Sequence, residues 1–111
     1  MTHTEAFSVV AEPGRRRILD LLLERERAVG ELVDELAVSQ PAVSRHLRVL
    51  REAGLVEVRA DAQRRVYRVR AEPLRAIDAW LAPYRARWPE ALDALATHLD
   101  TMDDEDEEES T

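Results

Sequence analysis

Two short helical patterns joined by a tight turn, then two segments that alternate apolar and polar residues, predict a mainly α fold with a small β-hairpin. That succession describes a winged helix-turn-helix, here with further helices at both ends. The central stretch is "SQPAVSRHLRVLREAGLV", Ser39 to Val56, which holds a helix with its own start, buried stripe and stop.

Taken in order, Thr4 or Ser8 is placed to cap a first helix through "AFSVV", which "AEPG", Ala11 to Gly14, ends. Pro13 suits the first turn of a second helix, where Ile18, Leu19, Leu22 and Leu23 form a stripe from Arg15 to about Glu26. "ERERAVG" is polar, and Gly30 opens a third short helix carrying Leu32, Val33 and Leu36. Ser39 is a good N-cap because its hydroxyl can accept a backbone N–H, and Pro41 fits the turn that follows. Val43, Leu47 and Leu50 then repeat at i, i+4 and i+7, and Gly54 stands where a left-handed terminator is expected.

Beyond Gly54 the period changes to two. "LVEVRA" and "RVYRVR", with "DAQR" (Asp61 to Arg64) between them, predict the hairpin. Pro73 starts a last helical pattern in which Leu74, Leu81, Trp88 and Leu95 fall seven apart, with Ile77, Tyr84 and Ala91 in the seam. This resembles a helix–helix interface. Pro83 and Pro89 predict kinks or two segments rather than one rod.

At 111 residues, with 45% hydrophobic and 35% charged residues, the chain suits one modest core. No apolar run approaches the roughly 20 residues that span a bilayer, and "MTHTEAFSVV" lacks the features of a secretory signal. A cytoplasmic protein with no membrane partner is expected. The absence of cysteine excludes disulfides, thiolate metal sites and thiol nucleophiles.

The formal net charge of −7 is unevenly placed, and all 16 basic residues are arginine. Eight acids between Asp100 and Thr111 leave residues 1–99 at +1, while Pro41 to Arg70 alone carry +5. The expected organisation is one folded domain over 1–99 and a disordered acidic tail over 100–111, where "DDEDEEE" is too charged to fold.

Turning Val43, Leu47 and Leu50 inward places Pro41, Ser44, Arg45 and Arg48, with Glu52, about 100° to 200° round the helix, and leaves Gln40 at its mouth. Arginine suits guanine or phosphate, glutamine suits adenine and serine suits either. Double-stranded DNA is the partner these residues fit. His46, at the edge of the stripe, reads better as a structural hydrogen-bonding group than as a base contact.

At these residues "VGELVDELAVSQPAVSRHLRVLREAGLVEVR", followed by "RRVYRV", resembles the ArsR/SmtB family of small dimeric bacterial repressors. "PGRRRILDLLLE" upstream is similar to the start of that family's second helix. The resemblance runs from about Phe7 to Leu99. It implies a homodimeric repressor paired through its first and last helices, on an inverted repeat read in major grooves roughly 34 Å apart. By position it implies base-edge contacts from Gln40, Ser44 and Arg45, phosphate contacts from Ser39 and Arg48, and wing contacts from Arg64 and Arg65. Pro41 joins the same DNA-facing surface. The implied dimer interface takes in Phe7, Leu74, Ile77, Leu81, Tyr84, Trp88, Leu92 and Leu95. Two departures stand out: "DAQR" lacks the glycine usual in the wing turn, and Ala37 stands where glycine commonly occurs between the two helices.

Many members of that family sense metals. Their Cys-x-Cys position is Ala28, Val29 and Gly30 here, and their Asp-x-His position is Asp78, Ala79 and Trp80. Tryptophan is not a zinc ligand. His3, His98 and Asp100 read as polar groups on exposed ends, so no metal or other cofactor is expected, and the residues specify no effector. A metal-responsive member of the same family is one alternative, and a winged helix that binds another protein through its arginines is the other. An enzyme is not expected, because Ser44 and His46, two apart on a helix, diverge by about 200°.

Overall fold

Glu12 is extended (φ −78°, ψ 121°) and its carboxylate accepts the Gly14 N–H at 3.1 Å, capping α2 (Pro13–Glu24). The preceding α1 (His3–Val10) ends against that helix. Arg15 Nε donates to Val9 O at 2.6 Å, and Arg16 Nη1 donates to Val10 O at 2.8 Å and Ala11 O at 2.9 Å. Two arginines of "RRR" thus satisfy carbonyls that the end of a helix leaves without partners. The structure, a computed structural model, describes residues 3–109 and the side chains of residues 4–101.

The α2 stripe places Ile18 and Leu22 in the core, while Leu23 turns outward. A short strand, β1 (Arg27–Ala28), follows where the sequence shows only polar character. It pairs antiparallel with β3 (Arg64–Val69), which also pairs with β2 (Val56–Asp61), so the sheet order is β1-β3-β2. Arg27 faces Tyr67 in this register and is 4% exposed. Its burial is compensated by partners: Nη2 meets Glu24 Oε2 at 2.7 Å, Nη1 meets Glu35, and Nε donates to Leu21 O at 3.0 Å.

α3 (Val29–Leu36) and α4 (Gln40–Glu52) form the helix-turn-helix; α3 starts one residue ahead of the expected Gly30, and α4 follows the expected N-cap Ser39 directly. Leu32 and Leu36 meet Val43, Leu47 and Leu50 in the core, with Leu55, Val56 and Tyr67 closing it from the sheet side. Ala37, in the left-handed region at φ 54°, ends α3, and Gly54 at φ 76° follows α4. The hairpin register pairs Asp61 with Arg64, leaving Ala62 and Gln63 as a two-residue turn. Ala62 supplies its positive φ of 57° without a glycine.

After a 3₁₀ turn over Glu72–Leu74, the last helical pattern divides into α5 (Arg75–Arg85) and α6 (Trp88–Glu109). Pro83 stays within α5, and Pro89 sits in the first turn of α6, where its missing N–H has no intrahelical role. The chain falls into two compact units, Met1–Ala79 and Trp80–Thr111. The first holds the core and the sheet. The second presents Trp80, Tyr84, Trp88, Leu92, Leu95 and Leu99 as exposed large apolar residues. The boundary read from composition at residue 99 falls inside α6, whose backbone is helical to Glu109. No helix among the described residues is long and apolar enough to cross a membrane.

Candidate nucleic-acid interface

The candidate surface begins with the way α4 is started. Ser39 is extended (φ −64°, ψ 150°), and its Oγ accepts the Ala42 N–H at 3.3 Å. That use leaves the hydroxyl hydrogen available to a further acceptor. Val43, Leu47 and Leu50 are at most 1% exposed, so the buried edge of α4 is fully committed to the core. The opposite side is open: Ser39, Gln40, Pro41, Ser44, Arg45 and Arg48 are all exposed. Both arginines are without an ion partner among the described residues.

Arg51 belongs to the same arc and was missed by the sequence reasoning. At about 100° per residue it falls between Gln40 and Ser44 round the helix. It is exposed and also unpaired among the described residues. Its place in the last turn, where a cation complements the helix dipole, is a sufficient local reason for it.

His46 is half-buried and packs on Gly14, where an added Cβ would come within 2.8 Å of its Nε2. Among the described residues it makes no side-chain hydrogen bond, so the expected structural bond is replaced by close packing of α4 on the start of α2.

The wing is electrostatically uneven. Of the eight arginines between Pro41 and Arg70, four are engaged by carboxylates. Arg59 binds Glu26 Oε2 through Nε at 3.1 Å and Nη2 at 2.5 Å, which raises its pKa further above the ordinary value. Arg68 binds Glu57, its register partner, and Arg70 lies 3.4 Å from Glu72. Arg64 lies 3.5 Å from both Glu31 and Asp61, whereas Arg65 is exposed and unpaired among the described residues. The local charge of +5 therefore overstates what is free. Arg45, Arg48, Arg51 and Arg65 remain. The Glu57–Arg68 pairing was readable once the turn was placed at 62–63, because both stand equally far from the tip.

Of the expected interface residues, Leu74 packs against the core, and Phe7, Ile77 and Leu81 are half-buried. Tyr84, Trp88, Leu92 and Leu95 are exposed. Trp80 and Tyr84 stack at a tilt, with ring centroids 4.8 Å apart. Among the described residues no three His, Asp or Glu side chains gather as a metal site. His98 and Asp100 are exposed on α6, and the His3 side chain lies outside the described set.

Residues 12–58 match the family described as "Bacterial regulatory protein, arsR family". The HTH-type transcriptional regulator Rv2034 of Mycobacterium tuberculosis is 39% identical over 100 residues, spanning 90% of this chain and 91% of the relative. The chain belongs to the arsR family. A biofilm growth-associated repressor of Agrobacterium fabrum is 40% identical over 63 residues, 57% of this chain and 54% of that protein. A solved structure described as a possible transcriptional regulator for arsenical resistance superposes with a TM-score of 0.63 at 40% identity, covering 82% of this chain and 92% of the other. Membership makes this chain a winged helix-turn-helix DNA-binding transcriptional regulator, in a family of regulators rather than enzymes.

Proposed function

We propose that this ArsR-family protein binds an inverted-repeat operator as a homodimer in the cytoplasm and represses transcription by occupying it, through binding alone. The observation that carries the reading is the division of α4. One edge is sealed in the core, and the other offers Gln40, Ser44, Arg45 and Arg48 with both guanidinium groups unpaired among the described residues. In this arrangement Gln40, Ser44 and Arg45 meet base edges in the major groove, with Pro41 against the groove wall. Ser39, Arg48 and Arg51 meet phosphates, and Arg64 and Arg65 follow the backbone from the wing.

The homodimer is supported by the second unit. Trp88, Leu92, Leu95 and Leu99 form an exposed stripe at i, i+4, i+7 and i+11 along α6. An apolar stripe of this kind marks an association surface. Repression draws on the name of the Agrobacterium relative.

The test is a mobility shift on its own promoter region with an inverted repeat, at several salt concentrations and with competitor DNA, alongside sedimentation to count subunits. Arg45→Ala is expected to cost about 1–3 kcal/mol of binding and to relax specificity at one base position. An equal loss on every sequence would instead make Arg45 a phosphate contact. A promoter fusion should rise when the gene is deleted, and a fall would make the protein an activator. Salt-insensitive behaviour with no preference for duplex would favour an acidic protein partner.

A further inference from the structure

On the reading above, in which the wing meets the DNA backbone, Arg64 and Arg65 are not equivalent. Arg64 is held at both tips of its guanidinium fork, with Nη1 3.5 Å from Glu31 Oε1 and Nη2 3.5 Å from Asp61 Oδ2. Asp61 is its register partner across the hairpin. Glu31 belongs to another element, the first turn of α3, so its contact ties the wing to the helix-turn-helix.

Glu31 is itself well anchored. Its Oε2 accepts Arg25 Nη1 at 2.8 Å, and its Oε1 accepts the Ala28 N–H at 3.3 Å at the start of α3. These bonds, the Arg25 one first, hold its carboxyl below the ordinary glutamate range, so it is ionised at neutral pH. An open hollow of about 450 Å³ separates α3 from the wing, with Glu31 and Asp34 on one wall and Arg64 and Arg65 on the other. It gives the Arg64 side chain room to leave one partner for another.

We infer that Glu31 is an intramolecular competitor for the DNA backbone: it occupies Arg64 as a phosphate would, and the wing engages fully only when Arg64 leaves it. The Arg64 guanidinium offers a single set of donors, and Glu31 is anchored too firmly to follow it onto DNA. Both side chains are partly exposed, 59% for Arg64 and 33% for Glu31, so the pair is weak enough for DNA to break. Its effect is therefore a modest brake on affinity, of about two- to five-fold.

The experiment is a double-mutant cycle on operator affinity with the full-length protein. Glu31→Gln keeps an oxygen for the Ala28 N–H, and an unchanged urea midpoint verifies that α3 stays in place. It is expected to tighten binding two- to five-fold in the native background. Asp34→Asn removes the same charge from the same hollow without an Arg64 contact, and is expected to gain less. In an Arg64→Ala background the Glu31→Gln gain is expected to be smaller than in the native background. Arg25, freed by the same substitution, contributes in both backgrounds and cancels. A gain from Asp34→Asn equal to that from Glu31→Gln, or a Glu31→Gln gain of undiminished size without Arg64, would overturn the inference. Wild-type protein that fails to shift the operator would instead overturn the DNA reading itself.

Discussion

Ala37 and Ala62 hold left-handed backbone, φ 54° and φ 57°, at the two places where glycine is usual in this family. Neither departure changes the path of the chain, because the elements on either side are pinned by the core and by the hairpin register. The cost is local, about 1–2 kcal/mol for an L-residue in this region, partly offset by the roughly 0.5–1 kcal/mol of extra chain entropy that a glycine would lose. Ala37→Gly is therefore expected to raise stability by about 0.5–1 kcal/mol in urea denaturation. A lower midpoint would show that the alanine methyl packs usefully. Arg27 makes the opposite point about legibility. Nothing in "ERERAVG" distinguishes it from Arg25, yet Arg27 is 4% exposed and bound by two carboxylates while Arg25 is exposed. Burial of a charge depends on which carboxylates the fold brings to it, and Glu35 comes from a different helix.

Among the elements, α4 was fully legible because its signals are local. Ser39, Pro41, the Val43–Leu47–Leu50 spacing and Gly54 lie within one stretch and agree with each other. Ser39→Ala removes the acceptor for the Ala42 N–H and is expected to lower stability by about 1 kcal/mol, with weaker DNA binding as well. An unaltered urea midpoint would show that water replaces the cap at no cost. The strand β1 was not legible. Two residues are too few to display a period of two, and Arg27–Ala28 becomes a strand only because Tyr67 and Val66 of β3 lie alongside. The break between α5 and α6 was half legible. The prolines announced an interruption, and it falls just ahead of Pro89 rather than at Pro83.

For the whole molecule the question is how a chain of charge −7 approaches DNA. The eight acids from Asp100 onward account for that sign, since residues 1–99 carry +1. We propose that these acids compete with DNA for the free arginines of α4 and the wing. Deleting residues 101–111 is then expected to tighten non-specific binding and to steepen its dependence on salt. Titrations at several salt concentrations that show the same affinity and slope would remove the tail from the account.

The amino-acid sequence alone determined the helix-turn-helix, the hairpin and the outward face of α4, because caps, turn residues and apolar spacing act within a few residues of each other. It also located the basic region and the acidic end, which need only counting. Tertiary structure decided which arginines are free. Arg59 and Arg64 are held by Glu26 and Glu31, each 33 residues away in the chain, and no local pattern foretells a pairing at that separation. Charge is a property of sequence, but the availability of a charge is set by what folding places beside it.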